Sequence, residues 1–202
     1  LQNLRILGIL GQGGSGKTSL AEAMLFAAGT IPRLGRVQDG TSVLDHEPEE
    51  IKHQVSISTA FHSLLWKKHS LTLVDTPGYA AFLADSTNCA RAFGAAVFVL
   101  NPSVGLRVES EQLWETANAN QICRILFVNK MDHEQADAVE RIDDVRGAVH
   151  PAQPQRREPV DLREGAAHHR VLGGRDQLDP GLVVVLAHVV GVGGVEYQQD
   201  IG

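Results

Sequence analysis

The chain has 202 residues, is 43% hydrophobic and carries a formal net charge of -6 at pH 7. That length and apolar content suit one sizeable core, and the acidic balance makes the chain a poor RNA binder by bulk charge alone. Cys89 and Cys123 show no metal or redox spacing and are expected to be buried thiols in a reducing compartment, and the nine histidines show no paired ligand spacing.

The first element is the apolar run Leu4 to Leu10, which predicts a buried strand. It leads into Gly11, Gln12, Gly13, Gly14, Ser15, Gly16, Lys17 and Thr18, a phosphate-binding loop. Glycines let consecutive backbone N–H groups turn toward phosphate oxygens. Lys17 is placed to neutralise the outer phosphates, and the Thr18 hydroxyl to ligate Mg²⁺ at the start of a helix. Leu20, Met24 and Ala27 then recur at helical spacing until Gly29 supplies a C-cap. Residues 31–54 are polar, with Pro32, Pro48, Glu47, Glu49 and Glu50, and a loop of that length is either functional or disordered. Val55, Ile57, Thr59 and Phe61 alternate with polar or small residues, which predicts a half-buried strand over 55–61. The turn Lys67-Lys68-His69-Ser70 is too short to join anything but antiparallel neighbours.

Leu71 to Val74 predicts the next strand, closed by Asp75, Thr76, Pro77 and Gly78. A carboxylate at the carboxyl end of a strand is placed to hold a water on Mg²⁺, and the Gly78 N–H to meet a γ-phosphate. A helix is expected from about Tyr79 to Phe93, stopped by Gly94, then a strand over Ala95 to Leu100, a helix around Glu109 to Asn118 and a strand over Ile125 to Val128. Asn129, Lys130, Met131 and Asp132 follow, in a pattern that resembles the guanine-reading motif of GTPases. Asp132 would accept from the guanine N1 and exocyclic amino groups. Adenine lacks that pair of donors, so a buried carboxylate would go unpaired. The alternation predicts an α/β fold: a mostly parallel sheet with one antiparallel edge strand, helices on both faces, and the site at the carboxyl ends of the strands.

With these motifs in this order, the chain is similar to the P-loop GTPase domain of translational GTPases, specifically elongation factor G and its paralogues. The resemblance runs from about Leu4 to Asp137. It includes Leu34-Gly35-Arg36-Val37, Asp39-Gly40-Thr41, Asp45, Glu49-Glu50, the run Val55 to Ala60 and Trp114. It implies GTP hydrolysis on the ribosome, coupled to movement of tRNA and mRNA or to ribosome disassembly. GTP and GDP are then the ligands, Mg²⁺ the cofactor held through Thr18, Ser56 and Asp75, and Lys17 a participant in phosphoryl transfer. In the mainstream factor a histidine follows the Asp-Thr-Pro-Gly motif and positions the attacking water, whereas this chain has Tyr79. A phenol stays neutral at pH 7, so slow hydrolysis is expected. The family's switch threonine aligns with Ser56, which keeps the hydroxyl; its other reading is the polar face of a strand. Gln54 replaces the preceding family glycine, and Gln12 stands where the elongation factor G-like paralogues commonly have histidine.

His133 to Val149 predicts a helix, with Val139, Ile142 and Val145 at spacing three. The GTP-binding domain is placed at 1–147 and an atypical tail at 148–202. From Pro151 onward there is no Ser, Thr, Lys, Asn, Phe, Trp, Met or Cys. Translation in a shifted frame after about Asp137 is expected, the alternative being a low-complexity extension. The resemblance calls for a last strand ending in a Ser-Ala motif, a final helix and ribosome-docking domains, none recognisable here. Leu182 to Val190 offers a makeshift strand, and an open sheet edge is expected. Three functional readings follow: a GTP hydrolase of translation, a GTP-binding module with little hydrolysis, and a non-functional truncated fragment. No signal peptide is visible, and Gly181 to Val195 is too short to span a bilayer. No membrane, no direct DNA binding and a cytoplasmic location are expected.

Overall fold

The computed structural model describes residues 4–130 and 182–186. Strand β1 (Leu4–Leu10) runs into the glycine loop and helix α1 (Lys17–Ala27), and a short helix α2 (Pro48–His53) interrupts the polar segment after it. The hairpin of β2 (Ala60–Trp66) and β3 (His69–Asp75) follows, then α3 (Leu83–Ala90), β4 (Ala95–Leu100), α4 (Val108–Ala119), β5 (Cys123–Val128) and β6 (Leu182–Leu186). The strands form one sheet in the order β2-β3-β1-β4-β5-β6. Among the described strands only the β2–β3 pairing is antiparallel; β1 pairs parallel with β3 and β4, and β5 parallel with β4 and β6. The expected architecture is therefore observed.

Each face of the sheet carries its own core. On one, Phe98, Leu10, Leu126 and Val128 pack with Leu113, Trp114 and Ala117 of α4 and with Ala90 of α3. The Phe98 and Trp114 rings meet at 4.7 Å between centroids, tilted by 60°, the geometry that aromatic quadrupoles favour. On the other face, Ile9, Leu73, Val97 and Val99 pack with Leu20, Ala21 and Leu25 of α1, and with Ile31 and Leu44 from the polar segment. Residues 31–54 are thus anchored to the core by two apolar side chains rather than lying free over it.

Three expectations need correction. The strand expected at 55–61 begins only at Ala60. The N–H groups of Ile57 and Ser58 donate to the Glu50 carboxylate, each at 2.9 Å, so they are withdrawn from any ladder. In β2 it is Ala60 and Leu64 that face the core, while Phe61 and Leu65 are exposed. The helix expected from Tyr79 to Phe93 is broken into a 3-10 turn, Ala80–Phe82, followed by α3. Cys123 is exposed and Cys89 only partly buried. The makeshift strand is present as β6 over Leu182–Leu186 and pairs with β5, so among the described strands the sheet margin falls on β6. The helix expected over 133–149 lies outside the described residues. Among the described residues no helix is long and apolar enough to cross a membrane.

Candidate functional site

β1, β3, β4 and β5 all end at one side of the sheet, and the sequence motifs sit on those ends. Gly11 to Thr18 curls from β1 into α1, whose first residue follows Gly16 at φ +98°. The Thr76 hydroxyl donates to the Ile9 carbonyl at 2.8 Å, tying the segment after β3 to β1. Ser86 donates to the Pro77 carbonyl at 2.8 Å, and the Gly13 N–H to the Gly78 carbonyl at 2.8 Å. After β5, the Asn129 amide donates to the Ser15 carbonyl at 3.0 Å, as expected of an asparagine that ties the base motif to the loop. Gly13, Gly14, Gly16, Lys17, Thr18, Ser56, Gly78, Tyr79 and Lys130 line one cleft together with Val37, Gln38, Gln54 and Val55. Met131 and Asp132 lie outside the described residues.

Lys17 is buried and donates through Nζ to the Gln12 carbonyl at 3.0 Å. Gln12 is buried as well, accepting from the Ser110 hydroxyl of α4 at 3.4 Å. Tyr79 is half-exposed, and its ring lies against the glycine loop: a Cβ added at Gly13 would stand 2.6 Å from ring atoms. A side chain at 13 would have to displace the tyrosine ring from this contact.

Beside Lys17, four oxygen-bearing side chains converge. Thr18 Oγ1 donates to Asp75 Oδ2 at 2.7 Å, Ser56 Oγ donates to Asp45 Oδ1 at 2.7 Å, and the two hydroxyl oxygens are 3.0 Å apart. The two hydroxyls supply two protons for these three contacts. Asp75 Oδ1 and Asp45 Oδ2 are buried without a hydrogen-bond partner. The cluster has more lone pairs than protons, all on oxygen, which is the donor set of a hard divalent cation. Ser56 belongs to this cluster and not to a strand. Asp45 was visible in the sequence only as one element of a resemblance, because its partner Ser56 is eleven positions away across a loop.

Two further carboxylates organise the polar segment. Glu22 of α1 is fully buried; its Oε1 accepts from the Ser42 hydroxyl at 2.7 Å and from the N–H groups of Val43 and Leu44 at 2.6 and 3.2 Å. Glu50 accepts from the N–H groups of Ile57, Ser58 and Glu47. Burial pulls the Glu50 carboxyl upward, but these three N–H groups outweigh it and hold it below its usual range. Nothing in the sequence marks Glu22, which lies off the apolar stripe of α1.

Burial pushes the Asp75 carboxyl up to about 7, against the pull of Lys17 and the Thr18 hydroxyl. Burial likewise raises Asp45, against the Ser56 hydroxyl, and lowers Lys17 to about 8, against Asp75 and Asp45. The signs fix a stability profile for the ligand-free chain. Between 3.8 and about 7 the folded chain keeps a proton on Asp75 that the unfolded chain has released, so this group makes stability fall as pH rises through that window. Between about 8 and 10.5 the unfolded chain holds the Lys17 proton, so stability rises again. An Asp75→Asn variant is expected to lose the first slope. Urea midpoints measured from pH 4 to 8 check this, and parallel profiles for wild type and variant would contradict it.

The family model described as the elongation factor Tu GTP binding domain matches residues 2–192. Elongation factor G 2 of Streptomyces coelicolor is 34% identical over 165 residues, covering 82% of this chain and 24% of that protein. Elongation factor G of Mycoplasma genitalium is 36% identical over 137 residues, covering 68% of this chain and 20% of that protein. The chain thus spans about a quarter or less of the length of the curated relatives it matches. A crystal structure of a protein from Thermus thermophilus superposes with a TM-score of 0.68 at 33% identity, over 73% of this chain and 22% of that one. The bacterial selenocysteine-specific elongation factor EF-Sec superposes with a TM-score of 0.54 at 20% identity, over 72% of this chain and 22% of that one, a likeness of fold.

Proposed function

The chain belongs to the elongation factor Tu GTP-binding domain family, and on that premise we propose that it binds GTP and GDP and hydrolyses GTP slowly, as the nucleotide domain of an elongation factor G-like translational GTPase. The observation that carries the reading is the proton-poor oxygen cluster of Thr18, Ser56, Asp75 and Asp45 set beside buried Lys17 at the mouth of the glycine loop. In this reading the N–H groups of Gly14 to Thr18 hold the phosphates and Lys17 turns from the Gln12 carbonyl to the outer ones. Asn129, Lys130, Met131 and Asp132 read guanine, Asp132 accepting from the base. Thr18 and Ser56 would ligate Mg²⁺ directly, with Asp75 and Asp45 holding its waters. When bound, the ion neutralises charge developing on the phosphate oxygens. Ribosome engagement and a cytoplasmic location belong to the same proposal, as does the division at residue 147.

Tyr79 sets the rate in this reading. Its ring rests on Gly13 of the glycine loop, and a phenol lacks the basic nitrogen that gives an imidazole its partly cationic character. A second reading, a GTP-binding switch with little hydrolysis, draws on this same contact. Displacement of a fluorescent GDP analogue by GTP but not ATP, lost in Asp132→Asn, tests the binding. Tyr79→His is expected to raise single-turnover hydrolysis about tenfold, below the usual range of general acid–base effects because the imidazole would enter a site shaped around a phenol. An unchanged rate would favour the switch reading.

A further inference from the structure

Charge is distributed unevenly along this acidic chain. Between Glu50 and Asp75 there is no carboxylate, while Lys52, His53, His62, Lys67, Lys68 and His69 all fall in that interval. The β2–β3 hairpin gathers half of them at its tip. Lys67 and Lys68 form the two-residue turn, with φ of 45° and 71°, so both adopt the left-handed conformation that matches strand twist. Trp66 pairs with His69 across the first rung. Trp66 is 44% exposed, with Lys67 Nζ 6.0 Å from its ring centroid. Lys67, Lys68 and His69 are exposed, and among the described residues no ion pair forms to either lysine. The other tryptophan, Trp114, is buried against Phe98.

An indole left half in water beside two unneutralised ammonium groups is the combination that stacks a base and holds the flanking phosphates. We propose that the tip of the β2–β3 hairpin, Trp66 with Lys67, Lys68 and His69, is a binding site for single-stranded RNA. The turn lies at the opposite end of β3 from Asp75, roughly 20 Å away at the usual rise per residue, so the proposal does not rest on the nucleotide reading. It is also compatible with the net charge of -6, because screening confines each field to about 8 Å at physiological salt. Distant carboxylates do not cancel a local cationic tip.

The test titrates the full chain with a labelled uridine oligomer of about 12 nucleotides, within the usual site sizes. Anisotropy and tryptophan fluorescence are followed at several salt concentrations. Saturable binding with quenching is expected, weakened about tenfold in Trp66→Ala, the low end for loss of one stacked base. Lys67→Glu/Lys68→Glu is expected to weaken it at least about tenfold and to flatten the salt slope by about 1.4, two phosphate contacts on a single strand. Unchanged urea midpoints establish that these exposed variants fold. Absence of saturable binding at low salt, wild-type affinity in both variants, or equal affinity for polyglutamate would overturn the proposal.

Discussion

Gly16→Ala is expected to lower affinity for GDP about a hundredfold. Gly16 holds φ +98°, and a Cβ there would collide with Nδ2 of Asn129, the atom that donates to the Ser15 carbonyl. A side chain in that backbone region costs about 1–3 kcal/mol, and a lost internal hydrogen bond about 1 kcal/mol. The chain relieves both by moving the loop away from β5. Because phosphate binding depends on consecutive N–H groups pointing at one place, the relief is taken where the ligand sits, and about 3 kcal/mol corresponds to roughly a hundredfold in affinity. Asn129 loses its tie to the loop in the same movement. Competition with a fluorescent GDP analogue measures the change. An affinity within about threefold of wild type, under 1 kcal/mol, would show that the loop accommodates alanine without moving.

The second large effect is on folding. Glu22→Ala is expected to destabilise the chain by about 3–4 kcal/mol, a large part of the roughly 5–15 kcal/mol typical of a domain. The carboxylate is fully buried and its Oε1 receives three donors from Ser42, Val43 and Leu44. Truncation strands the Val43 N–H and leaves Leu44 only the Ser42 hydroxyl at 3.1 Å; each unsatisfied buried group costs about 1–3 kcal/mol, and the vacated volume adds to this. Glu22→Gln keeps an acceptor but loses the charge assistance, so a loss of about 1 kcal/mol is expected. Urea unfolding followed by circular dichroism measures both. In Glu22→Ala, limited proteolysis should cut first within residues 31–54, which that carboxylate holds to α1. A loss below about 1 kcal/mol, less than one stranded donor, would mean that Leu44 and Ile31 suffice to keep the segment in place.

The parts of this molecule that were legible in the sequence are those whose determinants are local. Leu4 to Leu10 and Ala95 to Leu100 are apolar runs bounded by glycine or polar residues, and both are strands with those limits. The glycine loop, the two-lysine turn and the strand-end aspartate announce themselves in a few consecutive residues. What was not legible depends on partners far apart in sequence. Val55 and Ile57 carry a strand's alternation, yet Glu50 takes the N–H of Ile57, and no pattern over 55–61 records that. Glu22 reaches residues twenty or more positions away. Asp45 joins the oxygen cluster only because the segment folds back over Thr18. The Tyr79 ring against Gly13 is likewise invisible to a motif that counts letters. Alternation marks which residues favour a pleated surface, not where their hydrogen bonds go.

Strand order has a consequence for the chain's birth. The five strands β1 to β5 are complete once residue 128 has been made, but β6, which covers the flank of β5, begins at Leu182. Fifty-four positions separate Val128 from Leu182. At roughly 5–20 residues per second the nascent sheet waits about 3–11 s with β5 as its bare margin. During that interval the N–H and C=O groups along that margin of β5 are open to any passing strand. Slow synthesis, crowded polysomes or a pause after residue 128 would lengthen the window in which neighbouring nascent copies pair edge to edge, so the yield of this protein should depend on translation speed over 129–181 more than over any earlier stretch.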